Sequence, residues 1–308
     1  MSAEQFVRSS KAGEVVGSPQ ATRKTKAPSF PPAPEPLEVP VYDNHCHLEF
    51  EFDQELGVMP WQDSLNLAQS VGIKGVVQVG VTLESSRWCT KLATMDPRVL
   101  AAVALHPNEA PNYKTIENLD VAIAEIESLA KQPRVRAIGE TGLDFFRTEG
   151  DLELKLQQHS FEQHIRIAKE NNIALMIHDR DAHDQVVETL LRVGAPQKVV
   201  FHCYSGDTDL ARICIDNGWY MSFAGNITIK RNQHLRDSLM MAPKELILVE
   251  TDAPFLAPEP FRGRTNAPYL VPITVRFMAE QRGVAVDELA SQLALNTETV
   301  YGSWAEGV

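Results

Sequence analysis

The run Val41-Tyr42-Asp43-Asn44-His45-Cys46-His47-Leu48 decides how the chain is read. Two histidines, one residue apart, close a strand-like stretch. Successive side chains on a strand point to opposite faces, so His45 and His47 share a face and Cys46 takes the other. Such a pair can offer two imidazoles to one metal ion. The same spacing also arises without any metal, so the rest of the chain has to supply the other ligands.

Outward from this run the sequence has a rhythm. Short β-rich runs alternate with longer stretches of helical period, which is the pattern of βα units on a parallel sheet. Strands are expected at 40–47, 75–81, 99–106, 135–141, 174–178, 198–202, 220–223 and 245–250. Helices are expected at 61–71, 85–95, 116–131, 152–171, 182–192, 270–282 and from 287 to 296 or beyond. Eight such units predict an α/β fold, the (β/α)8 TIM barrel. A doubly wound open sheet is the alternative, but no glycine-rich GxGxxG turn follows the first strand.

Residues 1–39 read differently. Ser, Ala, Lys and Pro dominate them, ending in Pro31-Pro32-Ala33-Pro34-Glu35-Pro36. A segment with so few large apolar residues is expected to be a disordered tail, with 40–308 as one barrel domain. Over the 308 residues, 29 Lys and Arg stand against 41 Asp and Glu, a net charge of −12. An acidic surface does not attract polyanions as a whole, so a nucleic-acid substrate would have to be drawn in locally by metal ions and a few arginines. The four cysteines are scattered with no CxxC pair, the pattern of free thiols in a reducing cytoplasm. No apolar run approaches the roughly 18 residues of a membrane span, and the first residues lack a signal-peptide block. No obligate protein partner is evident.

Barrel enzymes carry their chemistry at the C-terminal ends of the strands. Ligand-type residues collect there: His45 and His47, His106, Glu140, His178, His202, and Asp252 with its neighbour Glu250. Each alone has an ordinary explanation, such as a hydrogen-bonded histidine or a turn-capping carboxylate. Six strands ending this way on the same side point to one site. Four imidazoles and two carboxylates exceed what one catalytic zinc needs. They suit two divalent ions roughly 3.5–4 Å apart that share a carboxylate. The mixed N/O set accepts Zn, Mn, Ni or Fe, and Mg less comfortably. Asp43 and Glu250 are candidates to orient the imidazoles. His159, His164, His183 and His234 lie in helical stretches and read as surface residues.

The sequence resembles the TatD family of metal-dependent deoxyribonucleases over about residues 40–304. The resemblance is carried by Asp43-Asn44-His45-Cys46-His47-Leu48, Gly139-Glu140-Thr141-Gly142-Leu143-Asp144, Ile177-His178-Asp179-Arg180-Asp181-Ala182, Phe201-His202-Cys203-Tyr204-Ser205-Gly206 and Glu250-Thr251-Asp252-Ala253-Pro254. It implies that His45, His47 and Asp252 hold one ion and His178 and His202 the other, with Glu140 bridging. It implies phosphodiester hydrolysis, commonly the trimming of DNA or RNA ends from 3′ to 5′. His106 matches the family's His-Pro and would contact phosphate. Arg262-Gly263-Arg264-Thr265-Asn266 resembles a loop that would sit beside the substrate, with Asp144 and Arg180 as further contacts. Asn44, Glu49, Ala174 and Ala267 depart from the family's usual residues, and none of them is a ligand.

The expected reaction is attack by a metal-activated hydroxide on phosphorus, with Asp252 as general base. His106, Arg180 and Arg262 would stabilise charge on the phosphoryl oxygens. Two rivals remain. One is a hydrolase of the same barrel type acting on lactones, amides, carboxylic esters or aminoacyl-tRNA esters. The other is a non-catalytic scaffold.

Overall fold

The computed structural model describes residues 5–9 and 29–305. Its centre is a sheet of eight parallel strands: β1 (Val41–Cys46), β2 (Ile73–Val79), β3 (Val99–Val103), β4 (Val135–Asp144), β5 (Ala174–Arg180), β6 (Val199–Phe201), β7 (Tyr220–Phe223) and β8 (Ile247–Val249). Each strand pairs with its successor in sequence, so the sheet runs in chain order from β1 to β8. The ends meet at a single bridge between Cys46 and Ala253, which closes the TIM barrel at its C-terminal mouth.

The strands are apolar on both faces because both are covered. Val77, Val79, Leu100, Ala102, Met176, Val200 and Leu248 fill the barrel. Their neighbours Val76, Ala101, Val103, Leu175, Ile177, Val199 and Val249 pack outward against helices. Nine α-helices surround the sheet among the described residues. Seven lie where the sequence predicts them, including α4 (Asp151–Asn171), α5 (His183–Val193), α8 (Val271–Arg282) and α9 (Val286–Tyr301). The sequence reading did not mark α6 (Thr208–Asn217) or α7 (Gln233–Met241). The bottom of the barrel is plugged by the C-terminal segment. Trp304 stacks on Tyr42 at 4.0 Å between ring centroids and donates its indole N–H to the Arg98 carbonyl.

Two irregularities set which side chains face that mouth. The β1–β2 register shifts between Asp43 and Cys46, and the β4–β5 register shifts between Ile138 and Thr141. Plain alternation from Tyr42, which points inward, would aim His45 and His47 out of the barrel. The extra residue reverses the phase, as a β-bulge does. It leaves Cys46 in the outer cluster, on the opposite face from the two histidines, as the sequence predicts. Past the second shift, Gly142 sits where a Cβ would come within 2.0 Å of the His178 carbonyl oxygen, so only glycine lets β4 run this close to β5.

The expected disordered tail is corrected over part of its length. Arg8–Ser9 pairs in parallel with Phe50–Glu51. Arg8 reaches the fully buried Glu49 at 3.2 Å, and Gln78 donates to the same carboxylate at 2.7 Å. Residues 29–37 lie along the barrel. Their carbonyls receive the Tyr269 hydroxyl at Pro31 and the Arg276 guanidinium at Glu35 and Pro36. Main-chain oxygens, which composition does not register, dock this segment. The remainder of the expected tail lies outside the described residues.

His164 is a second correction: it is fully buried in α4, not on the surface. Its Nδ1 donates to the Ser160 carbonyl at 2.6 Å and its Nε2 accepts from the Leu105 N–H at 3.2 Å, which fixes a neutral tautomer. Burial lowers its pKa from 6.5 to about 4. The unfolded chain binds this proton more readily, so the contribution is complete above pH 6.5 and lost as pH falls toward 4. At 1.36 kcal/mol per unit this amounts to about 3 kcal/mol. Urea unfolding at pH 7 and pH 4 should show wild type losing about 3 kcal/mol more than His164→Gln; equal losses would remove His164 from the acid sensitivity of the fold.

Candidate metal centre

The mouth is assembled from the ends of β1, β3, β4, β5, β6 and β8. His45 and His47 come from the bulged end of β1, and their Nε2 atoms stand 3.1 Å apart. The His47 Nδ1 donates to the Val79 carbonyl at 3.0 Å, and the His45 Nδ1 lies 3.0 Å from the Met176 thioether. With both N–H groups directed elsewhere, the two Nε2 lone pairs face one another. That arrangement is repulsive unless a cation sits between them. Glu140 Oε2 lies 3.6 and 3.8 Å from these nitrogens, and Asp252 Oδ1 lies 3.6 and 3.7 Å from them. Donors at about 2.0–2.2 Å from a zinc-sized ion stand at about these separations from each other.

The other Glu140 oxygen faces a second set. Oε1 is 2.6 Å from His178 Nδ1 and 2.9 Å from His202 Nε2. His202 directs its Nδ1 at the buried Glu250 carboxylate, 3.2 Å away, and Glu250 also accepts the Cys203 N–H. His178 directs its Nε2 at Asp144, 3.2 Å away. Carboxylates behind imidazoles fix ring orientation and raise ligand basicity. The expectation for Glu250 therefore holds. Asp43 does something else: it accepts from the Thr251 and His45 main-chain N–H groups and from the Thr251 hydroxyl, touching no imidazole ring.

His106 also approaches Glu140, with Nε2 at 3.4 Å from Oε1. Its Nδ1 accepts the Asn108 N–H at 3.0 Å, so the neutral ring carries its proton on Nε2. It can donate into the mouth and, in this tautomer, cannot ligate. That separates it chemically from the other four histidines.

The electrostatics follow the same division. Burial alone would raise the Glu140 carboxyl, but the imidazoles of His202 and His106 hold it well below its usual range. Burial pushes Asp252 well above the usual carboxylate range, and Glu140 and Glu250 push in the same direction. Burial lowers His45 and His47, leaving them neutral. Burial works against the basicity of His178, yet Asp144 and Glu140 hold it at about 8.

Two of the expected substrate contacts, Asp144 and Arg264, have their polar atoms committed elsewhere. Asp144 is fully buried and meets His178, Asn108 and the Arg147 N–H, so its oxygens do not face solvent. Arg264 gives its Nη2 to the Ser29 carbonyl, the Ser29 hydroxyl and the Phe30 carbonyl at 2.6, 2.9 and 2.9 Å. A bidentate grip on phosphate needs that nitrogen, so Arg264 anchors the N-terminal segment instead. Arg180 is at the rim, lying flat over Phe146. Arg262 is half-buried in the loop after β8 and has no hydrogen-bonding or ionic partner among the described residues. Asn108, Met176 and Gln78 were not singled out by sequence, because their roles are hydrogen bonds that no spacing displays.

A family model described as TatD related DNase matches residues 42–302. The chain belongs to the TatD family. Among TatD relatives, a protein of Mycobacterium tuberculosis named as an uncharacterized metal-dependent hydrolase TatD is 40% identical over 263 residues, covering 84% of this chain and 97% of its own. The Escherichia coli K12 relative YcfH, also named as an uncharacterized metal-dependent hydrolase, is 35% identical over 254 residues, covering 80% and 90%. The crystal structure of YjjV, a TatD homolog from E. coli, matches with a TM-score of 0.76 at 28% identity, covering 85% of this chain and 98% of its own. A phosphotriesterase homology protein of E. coli, solved with phosphate in its active site, shares the fold alone at a TM-score of 0.63 and 14% identity, covering 86% and 99%. The chain is thus a TatD-family metal-dependent hydrolase with a TIM-barrel fold.

Replacing Glu250 by Gln removes the carboxylate behind His202 without touching the mouth. Metal affinity, measured by competition with a chromophoric chelator, should fall by about 10–100-fold. Unchanged affinity would mean that His202 needs no such support.

Proposed function

We propose that the chain is a phosphodiester hydrolase that uses two divalent ions, with DNA as the favoured substrate and RNA as the alternative, and that it trims strand ends. The observation that carries this reading is Glu140, whose two oxygens face two separate groups of imidazoles. In it, His45, His47 and Asp252 would hold one ion and His178 and His202 the other, with Glu140 available to each. Divalent ions bound there supply Lewis acidity, acidifying water and polarising the phosphoryl group.

The chain's own residues do the rest. Asp252 is the one carboxylate of the set with appreciable side-chain exposure, 14% against 6% for Glu140. That exposure places it to take the proton of the attacking water and return it to the leaving oxygen. His106 donates its Nε2–H to a phosphoryl oxygen, and Arg180 and Arg262 add positive charge at the rim. Asp144 and Glu250 keep His178 and His202 turned toward Glu140. A chain of net charge −12 then relies on the mouth alone to attract an anionic strand.

Among the described residues no helix is long and apolar enough to cross a membrane. Cys46, Cys89, Cys203 and Cys214 are all free thiols, which suits a reducing cytoplasm.

Chelation should abolish hydrolysis of end-labelled single-stranded DNA, and added divalent metal should restore it. Full turnover by metal-stripped protein would end the two-ion reading. Asp252→Asn should keep most of the bound metal and lose about 10²–10⁴ in kcat. A near-normal rate would remove Asp252 from proton transfer. Running DNA, RNA and a lactone side by side separates phosphorus from carbon ester hydrolysis.

A further inference from the structure

Eight large apolar side chains are exposed among the described residues, and Phe146 is the one aromatic, at 58%. Six of the others are aliphatic or Met side chains spread singly over six different helices, and Val7 lies in the N-terminal segment. Scattered exposures of that kind need no explanation. Phe146 differs in its position. The β4–β5 ladder runs through Gly142↔His178 and Asp144↔Arg180, and the Phe145 N–H extends it to the Arg180 carbonyl at 3.0 Å. Phe146 therefore stands at the rim of the mouth, directly beyond the strand pair that carries Glu140 and His178.

Arg180 ties the ring to the site. It is two residues past His178 on β5, so its side chain leaves on the same face, about 7 Å further along the strand. Its guanidinium lies over the Phe146 ring, 4.0 Å from the centroid. The contact holds the ring in place by cation–π attraction and covers one face. No other ring among the described residues stacks on Phe146, and with Arg180 over it the side chain is still 58% exposed.

We propose that Phe146, backed by Arg180, is a stacking shelf for an unpaired base of the strand being cut. The inference rests on the nuclease reading and adds what the site recognises beside the phosphate. Every base has a π-face, so the shelf reads no sequence. It does require the base to be out of a duplex stack, which favours single strands and frayed ends over blunt duplexes. Arg180 meets the strand through this shelf and carries its charge beside the phosphate.

The test is a cycle between protein and substrate. End-labelled single-stranded DNA, intact or with one abasic nucleotide stepped along its end, is digested by wild type, Phe146→Ala and Phe146→Trp. Phe146→Ala should lower kcat/KM on intact strand by roughly tenfold, mostly through KM. At one abasic position wild type should show the same loss and the variant no further loss. Phe146→Trp should restore the intact-strand rate. Phe146→Ala equal to wild type, or equally impaired at every abasic position, would overturn the shelf while leaving the nuclease reading intact. Wild type that cleaves no strand but hydrolyses a lactone would overturn the nuclease reading and the shelf together.

Discussion

The structure depends on the seam between its first and last barrel strands. β1 and β8 share no ladder, and only the Cys46–Ala253 bridge joins them. Side chains do most of the stitching. Asn44 donates to the Val249 carbonyl and to the Thr297 hydroxyl, and Asp43 gathers the Thr251 N–H and hydroxyl. Beyond them, the Asp252 N–H meets the His45 carbonyl at 2.9 Å and the His47 N–H meets the Ala253 carbonyl at 2.7 Å. A buried carboxylate is costly unless donors surround it. Asp43 has three, yet burial still raises it to about 7. It is retained where it registers one strand against another, and that register sets His45 and His47 against Asp252. The Asp252 backbone is left-handed, with φ 54, a conformation tolerated by Asp more readily than by most residues.

Much of this was legible in the sequence, and the boundary of legibility has physical causes. Eight strands, seven helices and every histidine and carboxylate now at the mouth follow from periodicity and from which residues end the strands. The phase of His45 and His47 relative to the barrel does not, because one extra residue in β1 reverses it and no residue type announces the bulge. His164 looked like a surface residue because only a main-chain donor and a main-chain acceptor allow it to be buried. Asp144 and Arg264 sit in motifs that suggest substrate contact, yet their polar atoms are committed to His178 and to the N-terminal segment. In each case the sequence names the group and hydrogen bonding decides where its capacity goes.

The same principle sorts the five histidines of the mouth. Each ring has two nitrogens, and the partner of one determines what the other can do. Val79 takes the N–H of His47, Met176 lies beside the His45 Nδ1, and Glu250 and Asp144 stand behind His202 and His178, so each ring turns its other nitrogen toward the carboxylates of the mouth. Asn108 offers His106 an N–H instead, which forces the ring's proton toward the substrate side. Distance alone would group His106 with Glu140 and His178 as a third set of metal donors. The proton count excludes it in the neutral tautomer and gives it a donor's role.

The N-terminal segments bear on where a substrate can approach. Arg8 neutralises Glu49 in the loop after β1, and the Ser29 and Phe30 carbonyls occupy Arg264 in the loop after β8. Both contacts fall on the same side of the mouth, at the seam, and both lie partly before residue 42, where the family match begins. Phe30 and His47 even line one small pocket there. On the opposite side, at β4 and β5, the rim carries Phe146 open to solvent and Arg180 stacked on it. The seam side of the mouth thus carries the docked N-terminal segment, and the other offers a cation and an aromatic face. On the nuclease reading proposed above, a strand would enter over β4 and β5, where Phe146 and Arg180 stand beyond the strand pair that carries Glu140 and His178.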